Sequence, residues 1–304
     1  MIILVTGGCG FIGSELVLHA QSLNAEIRVL DDKSYAGCQS RLKDVPHTFI
    51  QGSITDRELV RQAMQDVDYV FHMAALISVS DSYRIPAEYE HVNTVGTLIL
   101  LEEATRAGVK GFVFSSSSAV YGNSLPIRKS ENSEPRPLSP YAWSKLHAEH
   151  YCTWFQQQTS MNISILRYFN VFGTHQDPKR PYAACVATFL HRALHHQPLT
   201  IYGDGTQTRD FVHVSDVVLF NLYAALEGLQ GVFNVGTGKE VSIQHVADTI
   251  TQKVRKVPIH YDSARLGDVQ RIYSNPYKVG QTSFRYQYTF ETGLDQVLDD
   301  LNVS

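Results

Sequence analysis

Cysteine is scarce, and what there is does not cluster. Cys9, Cys38, Cys152 and Cys185 stand far apart in 304 residues with no CxxC pair. The spacing offers neither a zinc site nor a disulfide framework, and each reads as a small buried hydrophobe. Charge is sparse too: charged residues make up 18%, and 26 Lys+Arg against 30 Asp+Glu leave a net −4. No basic surplus exists to draw a nucleic acid. Long apolar runs are absent; Met1–Val5 is far below the roughly 18 residues of a membrane span. The first strand starts at Met1, which leaves no room for a signal peptide ahead of it. With 43% apolar residues the chain is not a disordered one. The expectation is a soluble, cytoplasmic protein with no metal, no nucleic acid and no membrane partner.

What is present alternates. Ile2–Thr6 is a short aliphatic and β-branched run ending in glycines, and Phe11–Leu23 follows with apolar positions at Ile12, Leu16, Leu18 and Leu23, a helical spacing. Ile27–Leu30, Tyr69–Met73, Gly111–Ser115 and Ile163–Tyr168 read as further strands. Asp56–Met64, Val92–Ala107 (stopped by Gly108) and Ser144–Gln158 read as helices. Apolar strands alternating with helices predict an α/β fold, a doubly wound parallel sheet of the Rossmann kind covered on both faces. After Asn170 the rhythm breaks into short strands, turns and helices, a smaller C-terminal α/β lobe. The expected division is one domain over 1–170 and a second over 171–304, with segments near 213–236 returning to the first.

The junction of the first strand and first helix reads Thr6-Gly7-Gly8-Cys9-Gly10-Phe11-Ile12-Gly13. Glycines there let the backbone turn tightly and approach a pyrophosphate, which then sits on the helix N-terminus. Asp31 ends the second strand, 18 residues past Gly13. A carboxylate at that place accepts ribose hydroxyls and repels a 2′-phosphate, so NAD is favoured over NADP. Asp32 beside it is more ambiguous.

Four serines, Ser115–Ser118, end the fourth predicted strand, at the carboxyl edge where such sheets place ligands. Tyr141 and Lys145 follow at i and i+4, on one helix face. A free tyrosine titrates near 10 and a general base works best nearer 7, a gap of roughly 4 kcal/mol. A neighbouring ammonium and the positive nicotinamide of bound NAD are expected to close it. His72, at the end of a buried strand, reads as a satisfied polar group, and His191, His195 and His196 as a solvated helix end.

With these residues in place the sequence resembles the extended short-chain dehydrogenase/reductases, the NAD-dependent sugar-nucleotide epimerases and dehydratases. The resemblance runs from Met1 to about Leu298 and rests on TGGCGFIG (6–13), HMAA (72–75), SSSSAVYG (115–122), YAWSK (141–145), RYFNVFG (167–173), IYGDGTQTRDFVHVSD (201–216), NVGTG (234–238) and RLGDV (265–269). It implies an NAD-binding first domain, a substrate-binding second lobe and a catalytic set of Ser117, Tyr141 and Lys145. Cofactor contacts are implied for Gly7, Gly10, Phe11, Ile12, Gly13, Asp31, Asp32, Ser53, Ile54, Met73, Ala74, Ala75, Asn93, Ser115, Tyr141, Lys145 and Tyr168. A UDP-sugar substrate is implied, contacted by Ser78, Ser117, Asn170, Tyr202, Arg209, Arg265, Asp268 and Ile272, and so is a homodimer built on the helices 92–107 and 144–158.

Departures from the family pattern narrow the reading. The 4,6-dehydratases carry Asp-Glu after the catalytic serine, where this chain has Ser118-Ala119. Ala119 cannot carry a proton, which leaves oxidation and reduction at one carbon, as in 4-epimerisation. The stretches 74–79 and 176–186 look closest to the UDP-glucose and UDP-N-acetylglucosamine 4-epimerases. A 4-keto-sugar reductase with net redox stays open as an alternative. Ser53 replaces a usual adenine-contacting Asp, and Thr174-His175 a usual Pro-Arg. Ile272 and Ile77 are bulky where the N-acetyl-tolerant branch has small residues, which favours UDP-glucose and UDP-galactose; Lys179 and Arg180 leave a uronate possible.

Overall fold

The computed structural model describes residues 1–33, 41–178, 185–264 and 269–301. The chain divides into two compact units, one formed by Met1–Val120, Pro137–Arg167 and Val217–Phe233, the other by Tyr121–Arg136, Tyr168–Asp216 and Asn234–Ser304. The expected division at residue 170 is corrected for 121–136, which goes with the second unit because its strand pairs there.

The first unit carries a seven-stranded sheet of β1 (Ile2–Thr6), β2 (Glu26–Asp31), β3 (Thr48–Gln51), β4 (Tyr69–His72), β5 (Gly111–Ser117), β7 (Asn162–Tyr168) and β12 (Gly231–Val235) in the order β12-β7-β5-β4-β1-β2-β3. The pairs β1·β2, β1·β4, β2·β3 and β4·β5 are parallel. The order reverses at β1, so the crevice beyond the carboxyl ends of β1 and β4 is where such a sheet takes a ligand. The central strands are mostly apolar and largely buried, as a sheet covered on both faces demands, with polar residues at their carboxyl ends (Thr6, His72, Ser115–Ser117). Their covering helices include α1 (Phe11–Ala20), α2 (Arg57–Ala63), α5 (Gly96–Ala107), α6 (Pro140–Gln158) and α8 (Val214–Leu226). Gly108 ends α5 in the left-handed region at φ 71°, the stop expected from sequence.

The sequence reading passed over three elements here. The edge strand β3 has only Phe49 and Ile50 between polar neighbours, too short for any periodicity. The small helices α3 (Val79–Arg84) and α4 (Pro86–Tyr89) lead into a π-helical turn, Glu90–Val95, before α5 begins.

In the second unit, β6 (Arg128–Lys129), β10 (Thr208–Arg209), β13 (Val241–Ser242) and β15 (Arg271–Ser274) form one sheet in the order β13-β10-β15-β6. Two further pairs are β8 (Asn170–Phe172) with β11 (Phe211–His213), and β9 (Leu199–Tyr202) with β14 (Ile259–Asp262). Helices α7 (Cys185–Leu194), α9 (Ile243–Lys253) and α11 (Phe290–Asp300) pack a core of Phe172, Phe189, Val246, Ile250 and Leu294 between them; α10 (Tyr277–Gly280) is a single turn. A fully buried carboxylate ties this unit together. Asp210 accepts from Thr237 N and Oγ1 at 2.8 Å, Gly238 N at 2.9 Å, and Ser274 N and Oγ at 3.0 and 2.6 Å. Among the described residues no helix is long and apolar enough to cross a membrane.

Candidate active site

The loop leaving β1 is built for a close approach. Gly7 sits at φ +68°, and a Cβ there would lie 2.6 Å from the Ala74 backbone nitrogen; one on Gly13 would lie 2.2 Å from the Gly7 carbonyl oxygen. Side chains are therefore excluded on both sides of the turn. Gly10 is the N-cap of α1, with no side-chain cap and no acid in the first turn. A Cβ on Gly10 would meet only the Gly7 oxygen at 3.2 Å, so the space beyond it is open. The positive end of α1, carried by Phe11, Ile12 and Gly13, thus has no acid in its own first turn, the setting for a phosphate.

Asp31, buried at the end of β2, braces that loop. Its Oδ2 accepts from Cys9 N at 2.9 Å and its Oδ1 from Lys33 N at 2.7 Å. Burial pushes its pKa up against those two hydrogen bonds. Each oxygen keeps a second lone pair for a ribose hydroxyl. Asp32 beside it is exposed. Cys9 corrects the sequence reading: it is fully buried, as expected, but disulfide-bonded. Spacing along a sequence reveals only cysteines that pair locally. Cys152 is a buried thiol, and neither it nor Cys185 is disulfide-bonded.

The remaining predicted cofactor residues take several places. Met73, Ala74 and Ala75 follow β4 and are half-buried; Ser115 Oγ donates to Met73 Sδ at 2.7 Å. Ser53 spends its hydroxyl locally, on Thr55 Oγ1 at 2.8 Å, and Ile54 is buried. Asn93, in the π turn, uses its amide to clamp a loop: Oδ1 accepts from Leu76 N at 2.8 Å, and Nδ2 donates to Leu76 O at 2.9 Å and Ser144 Oγ at 3.0 Å. Tyr168 is buried at the end of β7. His72 is the satisfied polar group expected. Its Nδ1 lies 2.8 Å from Thr6 Oγ1 and its Nε2 2.8 Å from Thr97 Oγ1. Burial above all, and Lys145, hold it neutral.

Ser117, Tyr141 and Lys145 all lie in the first unit. Ser139 caps α6 and Pro140 opens it, which puts Tyr141 in the first turn and Lys145 one turn on. Ser117 is hydrogen-bonded to the Tyr141 phenol. Lys145 Nζ donates to Ser115 O at 2.9 Å and lies 5.0 Å from the centre of the Phe114 ring. Burial lowers the Lys145 pKa to about 8. Burial raises the Tyr141 pKa, and the Ser117 hydrogen bond only partly offsets that. In the protein alone, desolvation of the phenolate outweighs whatever the ammonium contributes. Ala119, in the turn after Ser117, donates its backbone N–H to Ser117 Oγ at 3.1 Å, and its methyl offers no proton carrier.

Two features here were missed from sequence. Glu149, one turn beyond Lys145, is buried in a bidentate pair with Arg167 of β7 (2.5 Å at its shortest) and accepts from Ser116 Oγ. Its i+4 spacing from Lys145 was the available signal. Tyr89 packs edge-on against Tyr141, ring centres 6.4 Å apart at 88°.

Among the predicted substrate residues, Ser78 caps α3. In the second unit Asn170 starts β8, Tyr202 ends β9, and Arg209 on β10 pairs with Ile272 of β15; the first three are half-buried and Ile272 is buried. Ile77 is 59% exposed. Arg265 and Asp268, with Cys38, Lys179 and Arg180, lie outside the described residues.

Comparison with known proteins decides the family. The pattern of the NAD dependent epimerase/dehydratase family matches residues 3–236. The chain belongs to that family. The UDP-glucose 4-epimerase of Pasteurella multocida is 33% identical, aligned over 99% of this chain and 96% of its own. The structure of the Thermotoga maritima UDP-glucose 4-epimerase with UDP-glucose superposes with TM-score 0.93 at 34% identity, covering 99% of both chains. That of the Methanobrevibacter ruminantium UDP-N-acetylglucosamine 4-epimerase, in complex with UDP-N-acetylmuramic acid, gives TM-score 0.94 at 32% identity over 99% and 97% of the chains. This epimerase/dehydratase is thus an NAD-dependent enzyme of nucleotide-sugar chemistry. The open helix N-terminus, the cleared glycine turn and the buried Asp31 fit that cofactor.

Proposed function

We propose that this protein inverts C4 of a UDP-hexose through a transient 4-keto sugar. One observation carries the proposal: Ser117 is hydrogen-bonded to Tyr141, with Lys145 one helical turn on, while Ala119 stands where the dehydratases keep an acid. NAD held by the glycine turn and Asp31 would supply the hydride chemistry at C4. Tyr141 takes the proton of the 4-hydroxyl and later gives it back. Ser117, bonded to the phenol, holds the sugar oxygen in line. Lys145 places positive charge behind the site. With no proton carrier at Ala119, β-elimination has no route, and the keto intermediate can only be reduced again. In the second unit, Asn170 and Arg209 are assigned to the diphosphate, Tyr202 to the uracil, and Ile272 to the sugar.

The test is to offer purified protein a panel of nucleotide sugars without added cofactor and look for C4 epimers by NMR. Interconversion of UDP-glucose and UDP-galactose supports the reading. A 4-keto-6-deoxy product would replace it with a dehydratase, and a requirement for external NAD(P)H with a reductase. The second reading, an N-acetylhexosamine substrate, is favoured by the likeness to the M. ruminantium enzyme. Buried Ile272 opposes it, because overpacking a site costs about 1–3 kcal/mol, roughly 5- to 150-fold in discrimination. Comparing kcat/KM for UDP-glucose, UDP-N-acetylglucosamine and UDP-glucuronate separates the three.

A further inference from the structure

Tyr89 belongs to none of the motifs that carry the chemistry, yet it touches two parts of the candidate site. It closes α4, a four-residue helix opened by Pro86, and is 2% exposed. Its ring stands edge-on to Tyr141, and its hydroxyl donates to the Ser78 carbonyl oxygen at 2.6 Å. Ser78 in turn caps α3, its Oγ accepting from Asp81 N at 3.2 Å. Edge-to-face rings prefer one tilt, so a buried Tyr89 restricts the rotation of the Tyr141 phenol. A buried hydroxyl on a carbonyl fixes the backbone it holds. Burial also raises the Tyr89 pKa, which keeps that hydroxyl a donor across the working range.

We propose that Tyr89 is a positioning residue that sets the Tyr141 phenol and the Ser78 loop at a fixed separation, the ring acting on the proton acceptor and the hydroxyl on the sugar-contacting segment. This rests on the epimerase reading. The two functions separate chemically. Tyr89→Phe removes only the anchor on Ser78; Tyr89→Leu removes the ring contact as well.

Two measurements on the NAD-loaded protein test it. The first is amide hydrogen exchange, which needs no substrate. Both variants are expected to speed exchange within 78–84 at least fivefold and to leave β5 unchanged. Unaltered exchange in that segment overturns the proposal. The second is steady-state kinetics on the sugar that wild type epimerises. Tyr89→Phe is expected to raise KM about fivefold, the value of one neutral hydrogen bond, with kcat within twofold. Tyr89→Leu is expected to lower kcat tenfold or more in addition. Equal loss of kcat in both variants, tracking a fall in Tm, would show a merely structural residue. If wild type turns over no nucleotide sugar, the epimerase reading falls, and exchange alone decides the anchoring by Tyr89.

Discussion

A phenol buried beside a serine does not become a base unaided. Burial raises the Tyr141 pKa, and Lys145 spends its N–H on the Ser115 carbonyl. On the proposed mechanism the charge that makes Tyr141 a base comes chiefly with the cofactor, so proton abstraction is coupled to occupancy. Tyr141→Phe is expected to cut turnover by about 10²–10⁴, the usual worth of a general base, while retaining NAD. A variant turning over within tenfold of wild type contradicts the role. Lys145 carries a second expectation. Its ammonium is penalised by burial, so in the cofactor-free protein it titrates near pH 8, below the 10.5 of a free lysine. Between those values the unfolded chain holds the proton and the folded chain does not, so this group adds stability as pH rises through that window. Competitive amine labelling across pH 7–11 followed by peptide mapping reads the midpoint directly. Residues such as Gly7, Asp31 and Tyr141 were legible in the sequence because short local spacings carry their chemistry. Glu149 and Tyr89 were not, because their partners lie 18 and 11 or more residues away and only the fold supplies them.

Among elements, the turn from β1 into α1 leaves the least latitude. Gly13→Ala would place a Cβ 2.2 Å from a backbone oxygen that no rotamer can move. The expected result is loss of co-purifying NAD and a lower Tm, read by assaying nucleotide released on denaturation. Retention of stoichiometric NAD would show that the loop relaxes more easily than its packing implies. Between α6 and β7, Glu149→Gln deletes the carboxylate facing the buried Arg167 guanidinium. Breaking a buried pair on one side costs about 3–5 kcal/mol, measurable by denaturant unfolding. The long elements were readable because their periodicity outlasts local noise. β3, α3 and α4 were not, since four to six residues hold too little pattern.

At the scale of the molecule, the outer face of α6 carries Trp143, Tyr151 and Trp154, each 39–54% exposed, with Val95 of the π turn also exposed. Aromatic side chains at such density are costly to leave in water. A homodimer through this face is the expected assembly. Light scattering should give twice 34.1 kDa, and Trp154→Glu should shift it to the single-chain mass. A single-chain mass for wild type at working concentration contradicts the dimer.

The two units are interleaved along the chain, the first drawing on three separate stretches and the second on three others. No single cut releases either one whole. A ribosome that has made the first 170 residues has not yet supplied β12, the edge strand of the sheet. Asp210 likewise waits for Ser274 before its last hydrogen bonds can close. The first unit is complete only once Phe233 is made and the second only with Asn234–Ser304, and neither can be exchanged with a relative by one crossover. Exchange of a whole unit needs several crossovers at once. Point substitution in place is the simpler route to a new substrate range.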